Sequence, residues 1–200
     1  MTKIKICGLK RECDIEFANS LLPDFIGFVF AEASKRYIHP DKAAELKEKL
    51  DNRIKAVGVF VNASLEFVAQ VASKGIIDMI QLHGSETNAC INELRGLLNI
   101  PIIKAFRVAS KNDIALAMES VADIVLFDNG NGGTGETFDW SYISGIKRPF
   151  VLAGGITSEN ITEALRKYKP YAVDTSSGVE TDGVKDFEKI KRFINIARNI

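Results

Sequence analysis

Hydrophobic residues occur along this chain in short runs that are separated by longer stretches of mixed polarity. Short apolar runs bounded by turn-forming residues are typical of buried strands. Eight such runs follow one another, with the sequences KIKIC, FIGFVF, KAVGVFV, DMIQLH, PIIKAF, DIVLFD, PFVLAG and YAVDTS. The pattern therefore predicts eight strands.

The stretches between the runs repeat their apolar positions at helical spacing, as in DKAAELKEKL, SLEFVAQVASKG and SENITEALRKY. The longest amphipathic stretch, VKDFEKIKRFINIARN, covers residues 184–199. Its apolar positions recur at spacings of three and four, and they are Val184, Phe187, Ile190, Ile194 and Ala197. This spacing predicts a helix with one buried face.

Regular alternation of strands and helices favours a parallel sheet. Eight strands could form an open doubly wound sheet, but their number favours closure into a (β/α)8 barrel. The length of 200 residues is at the lower end for that fold. We see no linker, low-complexity tract or second domain, and we predict one barrel domain over residues 1–200.

Charge and composition narrow the possible partners. Lys and Arg together number 26, as do Asp and Glu, and this balance argues against a nucleic-acid-binding protein. No apolar run approaches the roughly 18 residues that a membrane span needs. The amino-terminal sequence MTKIKICG lacks the apolar segment of a signal peptide. Three cysteines cannot form a closed set of disulfides, so we expect a cytoplasmic protein.

Residues able to carry chemistry lie where predicted strands end. Cys7 ends the first strand, Arg36 follows the second, His83 ends the fourth and Asp128 ends the sixth. In a parallel barrel these ends share the face on which active sites are built. Taken alone, Cys7 is more often a small buried hydrophobe, and His83 is more often a core or rim residue, with a metal ligand as the alternative. Their convergence on one face favours a functional site.

The loops after the seventh and eighth strands predict a phosphate site. LAGGITSEN supplies glycines whose backbone can approach an oxyanion, and DTSSGVE supplies two hydroxyls and a third glycine. Barrels of this class often bind phosphate at these two loops. The alternative is a pair of ordinary tight turns. The predicted phosphate-binding residues are Gly154, Gly155, Ser176, Ser177 and Gly178.

The chain resembles the phosphoribosylanthranilate isomerases, which catalyse the Amadori rearrangement in tryptophan biosynthesis. The matching stretches run in order along nearly the whole chain, and they are KICGL, SKRYI, VGVFVN, IQLHG, GGTGETFDW, LAGGI and VDTSSGVE. KICG together with GGTGxxFDW is a specific combination, whereas LAGG also occurs in other phosphosugar barrels. Lys35 and Cys13 depart from the family pattern, which questions loop shape more than activity.

The resemblance implies roles for individual residues. Cys7 would be the general base, Asp128 the general acid, and Arg36 the ligand of the anthranilate carboxylate. We further predict that His83 and Asp174 contact the substrate. The substrate would be a small phosphosugar, an aminoaldose converted to an aminoketose, and this chemistry needs neither a redox cofactor nor a metal. The sequence leaves a monomer and a homodimer open.

Three further expectations concern the surroundings of these groups. A thiolate is the better base, so nearby positive charge should lower the pKa of Cys7. Lys5, two residues earlier on the same side of the strand, could supply that charge, or it could instead pair with Asp174. The glycine-rich segment NGNGGTG should order over the substrate and bury Asp128, which would favour the protonated form of that acid, and the alternative is a disordered surface loop. Trp140 should be a packing anchor.

Two other functions compete. Another phosphosugar barrel, such as an indoleglycerol-phosphate synthase, would rely on a catalytic lysine that KICG does not supply in that pattern. A phosphate-ligand-binding barrel without catalysis would need neither Cys7 nor Asp128. The isomerase is therefore the favoured prediction.

Overall fold

Eight parallel strands form a closed barrel in a computed structural model that describes residues 1–129 and 137–200. Each strand pairs with its neighbours in chain order, and β1 pairs with β8 to close the ring. The closed (β/α)8 prediction is confirmed and the open sheet is wrong. The strands are β1 Lys3–Cys7, β2 Phe25–Val29, β3 Lys55–Phe60, β4 Met79–Leu82, β5 Ile102–Arg107, β6 Ile124–Asp128, β7 Phe150–Leu152 and β8 Ala172–Thr175.

Helices pack around the barrel, and several begin at a side chain that accepts a backbone N–H. Ser64 caps α3 through Phe67, and Asp186 caps α7 through Lys189. Within the described residues the helices are α1 Glu12–Leu21, α2 Pro40–Glu48, α3 Leu65–Ser73, α4 Asn88–Leu97, α5 Lys111–Met118, α6 Ile161–Tyr168 and α7 Phe187–Arg198. A short 3₁₀ helix, Trp140–Ile143, precedes β7.

The predicted start of the last helix at residue 184 is wrong. Val184–Lys185 forms strand β10, which pairs antiparallel with β9, Glu180–Thr181. The helix begins only at Phe187, and Val184 is exposed instead of lying on its buried face. Val184 lies three residues before Phe187, which is a helical spacing, so the sequence pattern predicted a helix that began inside this small hairpin.

The barrel interior changes from apolar to polar along the strand direction. Residues that alternate inward fill the lower interior, and they are Phe25, Val57, Met79, Ile103, Ala105, Ile124, Leu126, Val151, Ala153 and Ala172. Nearer the carboxyl ends the inward positions are taken by Lys5, Gln81 and Asp174, all of which are buried. The polar groups are thus concentrated at the end where a site is expected.

The opposite end of the barrel is fastened by carboxylates that precede strands. Asp24, Asp78 and Asp123 each accept a backbone N–H from a neighbouring strand at 2.7 to 2.9 Å. Asp123, which directly precedes β6, thereby joins the start of β5 to the start of β6. None of the helices in the described part of the chain combines the length and hydrophobicity that a membrane span requires.

Candidate active site

A cavity of about 610 Å³ opens at the carboxyl ends of the strands. Every site residue predicted from the sequence lines it. These residues are Cys7, Arg36, His83, Asp128, Asp174, Gly154, Gly155, Ser176, Ser177 and Gly178. Apolar side chains from β2 and β3, Val29 and Val59 among them, line the same cavity. The cavity therefore offers charged groups and an apolar wall to one ligand.

Cys7 stands at the end of β1 with only 8% of its surface exposed. Its neighbour across the ladder is Gly27 of β2. A Cβ at position 27 would lie 2.6 Å from the Cys7 sulfur, so glycine leaves the space that the thiol occupies. Asp128 ends β6, and β7 and β8 separate it from β1. The cavity lies between the thiol and the carboxyl group.

Burial raises the pKa of the Cys7 thiol, and the nearby charges of Lys5 and Lys185 only partly oppose this effect. The sequence predicted a lowered pKa, and that direction is wrong. The error has a physical cause, because strand position and neighbouring lysines are visible in the sequence while the depth of burial is not. Positive charge beside the thiol is nevertheless present, as predicted.

Lys5 pairs with Asp174 on the adjacent strand β8, with 2.9 Å between Nζ and Oδ2. Burial alone would lower the pKa of Lys5, but Asp174 and Cys7 together outweigh it and raise that pKa. Burial raises the pKa of Asp174. Lys5 therefore does both things that the sequence left open, since it pairs with Asp174 and acts on Cys7. Among the described residues, the buried Oδ1 atom of Asp174 has no hydrogen-bond partner.

Asp128 is held by His83, whose Nε2 lies 3.1 Å from Oδ2 of the carboxyl group. The other ring nitrogen, Nδ1, lies 2.9 Å from the Nε2 amide nitrogen of Gln81. An amide nitrogen can only donate, so in this arrangement Nδ1 accepts and Nε2 carries the hydrogen that Asp128 receives. This tautomer is an assignment from the amide orientation. Gln81 lies on β4 and His83 directly follows that strand, and the two side chains together orient the Asp128 carboxyl group.

Arg36 lies in the loop after β2 and forms a bidentate ion pair with Glu180. Its Nε and Nη2 donate to the two carboxylate oxygens at 2.8 and 2.7 Å. Lys185 also contacts Glu180, at 2.5 Å. Burial favours the neutral acid, but hydrogen bonds from Arg36 and Lys185 outweigh it, so the pKa of Glu180 is lowered. The Arg36 guanidinium is thus held in one orientation by Glu180 and lines the cavity.

The two predicted phosphate loops lie side by side at the cavity. Gly154 and Gly155 have φ angles of +73° and +68°, which strongly favour glycine. A Cβ at Gly154 would also run into the Asn129 backbone and lie 2.7 Å from Oδ1 of Asp128. Thr175 Oγ1 donates to the Ile156 carbonyl at 2.7 Å and joins the two loops. Backbone and hydroxyl groups from both loops can therefore reach one ligand group.

The sequence missed four residues that complete this arrangement, which are Gln81, Arg107, Glu180 and Lys185. Gln81 and Arg107 could have been found, because each lies two residues from an inward position on its strand and both line the cavity. Glu180 contacts Arg36, which is 144 residues away, and Lys185 contacts Ser176, nine residues away across the β9–β10 hairpin. No local pattern indicates those contacts.

Two predictions near Asp128 have different outcomes. The glycine-rich cover falls largely on residues 130–136, which lie outside the described residues. Trp140 is buried and packs edge-on against Tyr168, with 6.1 Å between ring centroids, as expected for a packing anchor.

Over residues 1–129 and 137–200, no cluster of three His, Cys, Asp or Glu side chains could hold a metal ion.

Known proteins share this sequence and this fold. The family model described as N-(5'-phosphoribosyl)anthranilate (PRA) isomerase matches residues 4–196. An N-(5'-phosphoribosyl)anthranilate isomerase of Caldanaerobacter subterraneus subsp. tengcongensis is 48% identical, with all of both chains covered.

Two solved structures are similar over the full length of both chains. One contains monomers generated from the dimeric phosphoribosylanthranilate isomerase of Thermotoga maritima, with a TM-score of 0.90 and 36% identity. The other is a phosphoribosylanthranilate isomerase in complex with reduced 1-(o-carboxyphenylamino)-1-deoxyribulose 5-phosphate, with a TM-score of 0.88 and 36% identity. The chain therefore belongs to the phosphoribosylanthranilate isomerase family.

Proposed function

We propose that this chain converts N-(5-phosphoribosyl)anthranilate to 1-(2-carboxyphenylamino)-1-deoxyribulose 5-phosphate by general acid–base catalysis, as a step of tryptophan biosynthesis. The observation that carries the mechanism is the placement of Cys7 and Asp128 on different sides of a cavity that also holds Arg36 and two glycine-containing loops. A substrate with a phosphate at one end and a carboxylate at the other matches this distribution of groups.

The two ends of the substrate orient it. The phosphate binds Gly154, Gly155, Ser176, Ser177 and Gly178, whose loops meet at the cavity. The anthranilate carboxylate binds Arg36, because a guanidinium can hold a carboxylate with two parallel hydrogen bonds. The apolar wall formed by β2 and β3 accepts the aromatic ring.

Asp128 begins the reaction by donating a proton to the furanose ring oxygen. The C–O bond of the ring breaks, and the nitrogen lone pair forms the C=N bond of a Schiff base. His83 orients the carboxyl group from 3.1 Å. Asp174 has a buried Oδ1 without a partner among the described residues, and this atom can accept a hydrogen bond from a sugar hydroxyl.

Cys7 then removes the C2 proton. The electrons of the C–H bond form a C=C bond, the C=N electrons return to nitrogen, and the resulting enolamine tautomerises to the ketone. The base must be a thiolate, and Lys5 stabilises that charge against the cost of burial. One acid and one base account for the whole rearrangement, so no redox cofactor or metal is required.

Turnover by the purified protein tests this proposal. Incubation with phosphoribosylanthranilate should consume the substrate and yield the carboxyphenylamino-deoxyribulose phosphate without release of CO2. Release of CO2 with ring closure would indicate an indoleglycerol-phosphate synthase. Tight binding without turnover would indicate a barrel that only binds phosphate ligands.

Three further properties belong to the same proposal. Residues 1–200 act as one domain, as the family match over residues 4–196 supports. The protein works in the cytoplasm on a small phosphosugar substrate, and it binds neither nucleic acid nor membranes. It is a monomer or a homodimer, and light scattering of the purified protein decides between these two forms.

A further inference from the structure

The β9–β10 hairpin, residues 180–185, follows the second phosphate loop and contributes two charged groups with buried side chains, Glu180 and Lys185, near the cavity. We propose that Glu180 and Lys185 are positioning residues, in which Glu180 fixes the orientation of Arg36 toward the substrate carboxylate and Lys185 fixes the phosphate loop at Ser176. This inference rests on the proposed function, because it takes Arg36 as the carboxylate ligand.

The geometry of the Arg36–Glu180 pair supports the first half of the proposal. Glu180 engages Nε and Nη2 of the guanidinium at 2.8 and 2.7 Å. A guanidinium has five N–H donors in one plane, so Nη1 and the second hydrogen of Nη2 stay available for a carboxylate of the substrate. The bidentate contact also fixes the plane of the guanidinium. The flexible arginine side chain is therefore oriented before the substrate arrives.

Lys185 prevents Glu180 from cancelling the charge that Arg36 offers. Its Nζ lies 2.5 Å from Oε1 of Glu180, and both side chains are buried. Two cations and one carboxylate leave a net charge of +1 in this cluster. A lone Arg36–Glu180 pair would be neutral and would attract an anionic ligand much less.

The same lysine extends the network to the phosphate loop. Lys185 Nζ donates to the carbonyl and to the hydroxyl oxygen of Ser176, at 3.0 and 3.1 Å. Ser176 Oγ in turn donates to the Cys7 carbonyl at 2.9 Å. One buried ammonium thus connects the loop carrying phosphate ligands with the support of Arg36. Loss of Lys185 should affect both ends of the substrate, whereas loss of the Glu180 charge should affect only the carboxylate end.

Two ligands separate these effects. The first is reduced 1-(o-carboxyphenylamino)-1-deoxyribulose 5-phosphate, and the second is the same molecule without the carboxyl group. Glu180→Gln should weaken binding of the first ligand about tenfold and change binding of the second less than twofold, measured by calorimetry. Lys185→Met should weaken both. Glu188→Gln is the control for loss of a negative charge, because the Glu188 side chain is exposed on α7 and its carboxylate lies 3.9 Å from the Lys191 ammonium.

The outcomes distinguish failure of this inference from failure of the proposed function. If Arg36→Met weakens both ligands equally, Arg36 is not the carboxylate ligand and the proposed role fails. If Arg36→Met affects only the carboxylated ligand but Glu180→Gln affects neither, the positioning inference alone is overturned. Equal weakening of both ligands by Glu180→Gln would also overturn it, since that result indicates a general structural defect.

Removal of one partner leaves a buried charge, so a single variant could fail to fold. The double variant Glu180→Gln/Lys185→Met removes both charges and keeps the inference testable. It should fold, bind both ligands more weakly than wild type, and show the larger loss for the carboxylated ligand. Wild-type binding of both ligands by this double variant would overturn the inference.

Discussion

Lys5 and Asp174 face each other across the seam that closes the barrel, with Lys5 Nζ 2.9 Å from Asp174 Oδ2. The same ammonium acts on Cys7 and opposes the rise that burial causes in the pKa of the thiol. Lys5 therefore has two roles. The Asp174 carboxylate fixes the position of its ammonium group, and the positive charge of that group favours the thiolate form of Cys7.

Replacement of Lys5 by methionine should raise the pKa of Cys7 further, because the positive charge that favours the thiolate is lost. Iodoacetamide alkylation of Cys7 as a function of pH, in a Cys13→Ala/Cys90→Ala background, measures this pKa. The midpoint should move to higher pH, and kcat at neutral pH should fall. Lys3→Met removes a charge from the same strand near Phe25 and Tyr171, and it should leave the midpoint unchanged. An unchanged midpoint in Lys5→Met would show that Lys5 serves Asp174 alone.

Cys7→Ala should lower kcat by about 10²- to 10⁴-fold, which is the usual contribution of a positioned base. The variant should keep the fold, since Cys7 ends β1 and lines the cavity, so its side chain contributes little to the packed core. Steady-state kinetics and the melting temperature together check this prediction. Cys13→Ala, on α1 and away from the cavity, is the matched control and should keep wild-type kcat. Near-normal turnover by Cys7→Ala would leave Cys7 as a small buried hydrophobe.

Asp128→Asn should lower kcat by a comparable or larger factor, because an amide cannot deliver the proton that opens the ring. Its carbonyl oxygen can still accept the hydrogen bond from His83, so ligand affinity should change little. Single-turnover kinetics and the dissociation constant of the reduced product analogue separate the two effects. A large loss of affinity with normal kcat would instead identify Asp128 as a binding residue.

Gly155→Asp should raise KM strongly, since it places a negative charge among the groups that bind phosphate. The substitution also strains the backbone, because the φ angle of Gly155 is +68°. Gly145→Asp carries a similar strain, with φ at +81°, but has open space around it and does not line the cavity. Initial-rate measurements should therefore show a raised KM only for Gly155→Asp. Equal KM values in both variants would remove the phosphate assignment from this loop.

Asp123→Ala should destabilise the protein by about 1–3 kcal/mol without changing kcat, because it leaves the Ile102 N–H of β5 without its acceptor. Urea unfolding measures the free energy of unfolding. Glu163→Ala is the control, since the Glu163 side chain is exposed on α6 and its carboxylate forms a long, 3.9 Å ion pair with Lys167. That change should stay within about 0.5 kcal/mol. A fall in kcat for Asp123→Ala at unchanged stability would contradict a purely structural role for this end of the barrel.

Local pattern accounted for the strands and for the face that carries the site. Cys7 and Asp128 end β1 and β6, His83 directly follows β4, and a parallel barrel gathers these strand ends on one face. Burial and partners could not be predicted in this way. The pKa of Cys7 depends on how deeply the closed barrel buries the thiol, and the pairing of Arg36 depends on Glu180 far along the chain. The helix start was wrongly predicted at Val184 for the same reason. Strands β9 and β10 have two residues each, which is too short for their sequence to show an alternating pattern.

Closure of the ring through β1 and β8 has a consequence for the timing of biosynthesis. The strand that carries Cys7 leaves the ribosome first, and the strand and hairpin that support its backbone through Ser176 leave nearly last. A nascent chain that has not released β8 has the thiol but lacks Asp174, part of the phosphate site and the Glu180 that orients Arg36. Catalytic competence should therefore arise abruptly, when β8 and the hairpin join β1, and recovery of activity during refolding should report closure of the seam instead of formation of individual strands.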